Sequence, residues 1–270
     1  MPQLTISRDG PVAILTITPP DQFMTDDTVA ELNAATEELD GDESCRAMVF
    51  TGGEDGVFIR HFSVPVLEAM SDQLRDRGMT FSDQRLLTKD RDIDVLFRRL
   101  ATTPKITIAA INGFAMGGGF EFCLSCDLRI AQDGEHHLGL PEAKLGILPG
   151  GGGTQKLARL VGQARALEMV TRGRTVPPRE ALALGMVHEV TDGPVLPHAV
   201  TLAQEYAAIA PLTFAHIKRL IRQEAEKPLE DGLTMERTLF LDLLVSDDAN
   251  KLMKRMNDGG LDIRDVPQGD

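Results

Sequence analysis

The sequence predicts an α/β core over residues 1–200 followed by an all-α region over residues 201–270. Two observations carry this prediction. Short apolar runs, "AMVFTGG", "KITIAAINGFAMGGG" and "LRIAQ", alternate with segments of helical spacing. From Pro178 onward the pattern is almost wholly helical, and no strong linker divides the two parts.

Leu4 to Thr18 alternates around Asp9-Gly10, a dipeptide favoured in tight hairpins. Thr25 offers an N-cap, Asp26 and Asp27 suit a first helical turn, and Val29, Leu32 and Ala35 follow at helical spacing. Ala47 to Gly53 reads as a buried strand, and residues 66–101 as polar and helical. "KITIAAINGFAMGGG" reads as a second buried strand ending in glycines, with the helix bearing Glu121 after it. "LRIAQ" is a further strand; "LGLPEAKLGILPGGGGTQKLARLVG" then gives a turn, a short apolar piece, a glycine loop and a helix. Gly185 marks a helix end, Pro211 starts a helix bearing Ile217, Leu220 and Ile221, and Asp247-Asp248 opens another before Gly259.

Composition narrows the function. The chain has 270 residues, 42% apolar and 26% charged, with a net charge of −13 that disfavours nucleic acid and anionic membranes as partners. No apolar run reaches the ~20 residues a membrane helix requires. The N-terminal segment lacks the apolar core of a signal peptide, and three cysteines make no disulfide framework, so a cytoplasmic location is expected. Cys123 and Cys126 form a CxxC without a second metal pair nearby and read as buried small hydrophobes. His136-His137 beside Glu135 lacks further ligands and reads as a surface turn, so no metal is expected.

The chemistry concentrates in "GGGFE" and "LPEAKLGILPGGGG". Backbone N–H groups at a helix start are unpaired and sit at the positive end of the helix dipole, and glycines let a ligand approach them. Such donors stabilise an oxyanion or enolate. Glu121 stands one turn on, in an apolar run; Glu142 follows a proline among apolar residues. Two carboxylates in an apolar cleft can share a water, one accepting a proton while the other donates one. Each glutamate alone is also explained as a helix-start carboxylate held by N–H groups, and the glycines as close strand–helix packing. Together they point to chemistry. "LPGGGGTQK" lacks the ending of a P-loop and "MGGGFEF" the spacing of a dinucleotide fingerprint.

At these residues the sequence resembles the enoyl-CoA hydratase/isomerase (crotonase) family. "AAINGFAMGGGFEFCLSCDLRIA" and "LGLPEAKLGILPGGGGTQKLARLVG" correspond to its two signature blocks, and the resemblance extends to "GRTVPPREALALGMVHEV", "APLTFAHIKRLI" and "LFLDLLVSDDANKLMKRM". It implies a crotonase-like spiral of ββα units with a helical C-terminal region that builds homotrimers or hexamers. It also implies an acyl-CoA substrate, coenzyme A being part of the substrate and no separate cofactor being required. Gly118 takes the place of one oxyanion-hole donor, Glu121 and Glu142 those of the water-activating and proton-donating glutamates, and Gly150 that of a glycine holding the water. Gly117 is a further candidate CoA- or substrate-binding residue.

The family pattern breaks at "FIRHFSV". Arg60 and His61 replace a small residue and a glycine, Phe62 holds the second donor position, and Ser63 replaces an aspartate. Any non-proline residue can donate an N–H, so Phe62 can serve. If the glycine's place requires positive φ, His61 is strained there. Arg60 and His61 are candidate CoA or substrate contacts, or else face solvent and nearby acidic groups. Ser63 can cap the next helix, with Pro65 in its first turn. Pro65 to Pro104 is longer than in compact family members; Leu86, Leu87, Ile93, Leu96, Phe97 and Leu100 fit either a lid or an amphipathic surface helix. Three functions are compatible: a hydratase or dehydratase using both glutamates; an isomerase, decarboxylase or hydrolase on the same oxyanion hole; or a catalytically poor acyl-CoA-binding subunit.

Overall fold

The structure, a computed structural model, describes residues 2–79 and 90–266. Strands β1 (Leu4–Asp9) and β2 (Val12–Ile17) form the expected hairpin, with Gly10 at φ +54° in its turn. After β3 (Phe23–Met24) comes α1 (Asp26–Gly41), capped by Thr25: the Thr28 N–H donates to the Thr25 hydroxyl and the Thr25 N–H to the Thr28 hydroxyl.

A strand–strand–helix unit then recurs. It runs first through β4 (Ala47–Gly52), β5 (Gly56–Ile59), β6 (His61–Phe62) and α2 (Val64–Asp76), with α3 (Asp92–Thr102) following. It runs next through β7 (Ile106–Ile111), β8 (Gly113–Met116) and α4 (Gly118–Ser125). The third pass is β9 (Leu128–Gln132), β10 (Leu138–Gly139), a 3-10 turn at Glu142–Leu145, and α5 (Gly153–Val161). The first strand of each unit joins one sheet, ordered β1-β2-β4-β7-β9 and closed by β12 (Glu189–Thr191). The second strand joins another, ordered β10-β8-β5 with β11 (Thr175–Val176) on its outer edge; α6 (Gln163–Thr171) precedes β11 and α7 (Pro178–Ala183) follows it. This is the spiral of ββα units that the resemblance implies.

"KITIAAINGFAM" is therefore two strands rather than one, and Asn112 makes the break. Its Oδ1 accepts the Gly52 N–H at 3.0 Å, and its Nδ2 donates to the carbonyls of Gly52 at 3.1 Å and Glu54 at 2.9 Å. One side chain thereby satisfies backbone groups of the adjacent unit where the chain changes sheets. Replacing Asn112 with Ala is expected to cost about 2–3 kcal/mol, measured by urea denaturation, because three partly buried bonds are lost at once.

The large sheet is covered on both faces, which explains why β7 is buried at every position and apolar at all but Thr107. Ala109 and Ile111 join Leu15, Phe50 and Phe122 in the main core. Ile106, Ile108 and Ala110 face the other way, onto Val195, Ala199 and Ala203 of α8 (Val195–Ala207). The division expected at residue 200 thus falls inside a helix that closes the sheet. Beyond it run α9 (Pro211–Arg219), a π-turn at Leu220–Glu224 carrying Leu220 and Ile221, α10 (Leu229–Leu244) and α11 (Asp247–Gly259).

Several expectations need correction. Ser63 occupies the N-cap of α2 but makes no capping bond with its side chain; its N–H donates to Met24 instead. The buried face of α3, Leu96, Phe97 and Leu100, belongs to the main core, so α3 is a packed helix rather than a lid. Leu86 and Leu87 lie outside the described residues. His136 is buried, its ring edge-on to Phe114, not on a surface turn. Among the described residues, no group of three His, Cys, Asp or Glu side chains could hold a metal ion. None of their helices is long and apolar enough to cross a membrane. Cys123 and Cys126 are buried, and burial pushes the Cys126 thiol up to about 12 and the Cys123 thiol well above its ordinary range, as for packed hydrophobes rather than reactive thiols.

Candidate active site

A cavity of about 910 Å³ opens where α4, β6 and the 3-10 turn converge. The "GGG" run allows the convergence. Gly117 is the N-cap of α4 at φ +49°, a conformation that side-chain-bearing residues rarely adopt. A Cβ at Gly118 would stand 3.2 Å from the Phe62 Cβ and 3.5 Å from the Phe62 nitrogen. The helix start and the β6 backbone are therefore in contact.

The pairing of β6 sets the direction of the Phe62 N–H. Phe62 is paired with Met24 in parallel register, and the Ser63 N–H donates to the Met24 carbonyl at 2.8 Å. Alternation along the strand turns the Phe62 N–H to the opposite edge, towards α4. At Gly118, the first helical residue, the N–H has no carbonyl one turn back to meet. Both candidate oxyanion donors therefore edge the same cavity.

Glu121, only 3% exposed, lies in the first turn of α4. Its Oε1 accepts the N–H of Gly151, in the glycine loop, at 2.7 Å and of Gly153, the first residue of α5, at 2.8 Å. Burial raises its pKa; those two N–H groups, and the charges of Lys156 and Arg91, act against the rise. Glu142 opens the 3-10 turn, and its Oε2 is a buried oxygen with no hydrogen-bond partner. Burial pushes it up to about 7, helped by the Glu121 charge and opposed by its own backbone N–H. Burial raises both carboxylates, but the two sit in unequal environments on one cavity. One is solvated by fixed N–H dipoles and cations, the other is left almost without donors.

Gly117 separates Glu142 from His61. A Cβ there would meet Glu142 Oε1 at 3.2 Å and the His61 Cβ at 3.6 Å. His61 does not take positive φ; among the described residues, those other than glycine with left-handed φ are Asp21 at +52° and Gln22 at +70°, in the turn before β3. The His61 ring stacks on Phe23 at 4.4 Å, and its Nδ1 meets the Phe62 carbonyl at 2.8 Å. A carbonyl only accepts, so Nδ1 carries the proton, and His61 lines the cavity. Arg60 is not part of the cavity lining. Its guanidinium donates to the Gln22 side chain at 3.1 Å and sits 5.2 Å from the Phe114 ring centre. Gly150 does line the cavity, and its carbonyl accepts from Arg91 at 2.6 Å.

The structure therefore gathers Glu121, Glu142, Phe62, Gly117, Gly118, Gly150 and His61 and leaves Arg60 aside. It adds two cations that motif reading passed over. Lys156, four residues beyond Gly152, donates to the Ser125 hydroxyl at 2.6 Å and lies 5.0 Å from the Phe97 ring centre. Arg91 precedes α3 and is tied to Asp94 by 2.8 and 2.7 Å bonds. The sequence signal for Lys156 was its place one turn into the helix after the glycine loop. Arg91 had none beyond a basic residue before an acidic helix start.

A family profile described as enoyl-CoA hydratase/isomerase matches residues 8–257. The chain is 30% identical to the short-chain-enoyl-CoA hydratase of Clostridium acetobutylicum, covering 92% of each protein. It is 34% identical to the 2,3-dehydroadipyl-CoA hydratase of Escherichia coli, over 93% of this chain and 94% of that one. The solved enoyl-CoA hydratase of Bacillus anthracis superposes with a TM-score of 0.84 at 26% identity, with both chains fully covered. With its spiral of ββα units and its paired glutamates beside a glycine-opened helix start, the chain belongs to the enoyl-CoA hydratase/isomerase family.

Proposed function

We propose that this protein is an enoyl-CoA hydratase, adding water across the C2–C3 double bond of an acyl-CoA thioester or eliminating it in reverse. The observation that carries the reading is the unequal pair of carboxylates facing one cavity beside two outward N–H groups. The thioester oxygen sits between the N–H groups of Phe62 and Gly118, which stabilise the enolate-like charge that develops on it; a single such donor contributes about 2.7–4 kcal/mol where measured in other enzymes. Water, held with help from Gly150, is activated by ionised Glu121 and attacks C3. Neutral Glu142 delivers its proton to C2. The two glutamates then exchange their protonation states through water before the next turnover. Gly117 keeps the floor open where Glu142 and His61 approach, and His61 borders the bound thioester.

Retention of both carboxylates favours hydration over isomerisation, which one proton carrier can perform, and over mere binding, which needs neither buried carboxylate. Coenzyme A enters as part of the substrate, with no separate cofactor. Exposed apolar side chains on or just after α10, including Leu229 at 75%, Phe240 at 58% and Val245 at 84%, support a homotrimer or a hexamer of two trimers.

The test is loss of the conjugated-thioester ultraviolet absorbance over a panel of short, medium and aromatic enoyl-CoAs. Decay with at least one of them is expected, together with release of the 3-hydroxyacyl-CoA. Tight binding of CoA esters with no decay anywhere on the panel would reject the hydratase reading.

A further inference from the structure

Arg91 reaches from the start of α3 to the glycine loop and holds one peptide group. Its Nη2 donates to the Gly150 carbonyl at 2.6 Å. The N–H of that same peptide unit belongs to Gly151, and it donates to Glu121 Oε1 at 2.7 Å. A trans peptide is planar, with its N–H directed opposite its C=O, so a donor that fixes the oxygen also fixes the direction of the N–H. Arg91 is in turn fixed by Asp94, whose carboxylate accepts from its Nε, its Nη2 and its backbone N–H at 2.8, 2.7 and 3.0 Å.

We propose that Arg91 is a positioning residue for Glu121, acting through the Gly150–Gly151 peptide rather than on the substrate. The proposal rests on the reading of Glu121 as the carboxylate that activates water. Three physical effects run in the same direction. The loop is four consecutive glycines, one at φ +93°, so no side chain otherwise limits rotation of this peptide. A guanidinium on the carbonyl polarises the peptide and strengthens the hydrogen bond that its N–H donates on the far side. The Arg91 charge also favours ionised Glu121.

The other charged groups around Glu121 cannot replace this contact. Lys156, from α5, reaches the next carbonyl, that of Gly151, only at 3.4 Å and is anchored at 2.6 Å to the Ser125 hydroxyl. Glu142, from the 3-10 turn, is a carboxyl that brings no positive charge, and the Glu121 charge raises its pKa in turn. Asp94 offsets part of the Arg91 charge, which leaves orientation of the peptide as the larger part of the effect. Arg91 also lines the cavity, so a substrate contact is the alternative that the test must separate.

The test compares wild type with Arg91→Met and Arg91→Lys in two measurements. The first is the pH profile of hydration of the best enoyl-CoA on the panel. The second is an infrared pH titration of the Glu121 carboxyl in substrate-free protein, the band being identified by its loss in Glu121→Gln. For Arg91→Met we expect kcat to fall about tenfold, as on losing one charge-assisted bond, with KM within about twofold. The acid limb of kcat/KM and the infrared midpoint should move together to higher pH, since less now favours the carboxylate. Arg91→Lys keeps a charged donor and should recover much of both. A raised KM with unchanged kcat and an unmoved infrared midpoint would make Arg91 a substrate contact instead. Unchanged values throughout would remove it from the mechanism. The infrared arm needs no turnover, so failure of the hydratase reading would show as inactive wild type and remain distinct from failure of the relay.

Discussion

Replacing Glu142 with Gln is expected to lower kcat for hydration by roughly 10³-fold, the size of effect seen on removing a general acid. The amide keeps the shape of the side chain and loses only the transferable proton. KM should change little, because the thioester is held by backbone N–H groups. The pH profile provides a second handle on the same residue. Burial holds Glu142 up at about 7, so it is largely neutral, and able to donate, below that pH. In the hydration direction, kcat/KM should therefore fall as pH rises through about 7. In the dehydration direction Glu142 must be ionised to take a proton from C2, and the same ionisation should appear as a rise. A basic limb that stays at the same pH in Glu142→Gln would assign it to another group.

The same residue makes a stability prediction with the opposite sign. A carboxyl whose pKa is raised by folding is destabilised as a carboxylate. Its cost to the fold is absent below the unfolded-state pKa, grows between that value and about 7, and is full above it. Glu142→Gln should therefore be at least as stable as wild type at pH 8, when thermal melts are compared. An inactive variant that melts no lower than wild type would separate a chemical defect from a folding one. This is the expected mark of a residue kept for reaction rather than for packing.

The two glutamates were legible in the sequence because a carboxylate inside "FEF" and another inside "LPEA" contradict their apolar surroundings. Their different environments were not. That difference comes from Gly151 and Gly153, whose N–H groups turn onto Glu121 from 30 and 32 residues away, and no local pattern encodes such a contact. The same limit explains "NGFAM". Apolar periodicity runs straight through Asn112, and only the long-range bonds to Gly52 and Glu54 show why the strand breaks there. At "FIRHFSV" the local departure from the family pattern was plain, yet its consequence was not. His61 stays in the extended strand pairing of β6, and the strained backbone lies instead at Asp21 and Gln22, beside the partner strand β3.

Gly119→Ala should be the most damaging of the small substitutions near the site. A Cβ at Gly119 would lie 2.0 Å from the Ile59 carbonyl oxygen and 2.9 Å from its carbon. Both atoms are backbone of β5, the edge strand held by its pairing with β8, so no flexible side chain can give way. The helix must move off the strand, at a cost of about 3 kcal/mol, the upper end for overpacking a core. Because Gly119 follows Gly118, the displacement would also draw the Gly118 N–H away from that of Phe62 and carry Glu121 off the glycine loop. Loss of stability in urea should then come with a fall in kcat that persists under conditions where the variant is fully folded. Gly41→Ala is the matched control. It sits at the end of α1 with nothing within 4 Å of its Cβ position and no positive φ, and it should leave both stability and rate close to wild type. If Gly119→Ala lost stability but kept its rate once folded, close approach of α4 to β5 would serve packing alone, and the spacing of the two N–H donors would have to be set by another contact.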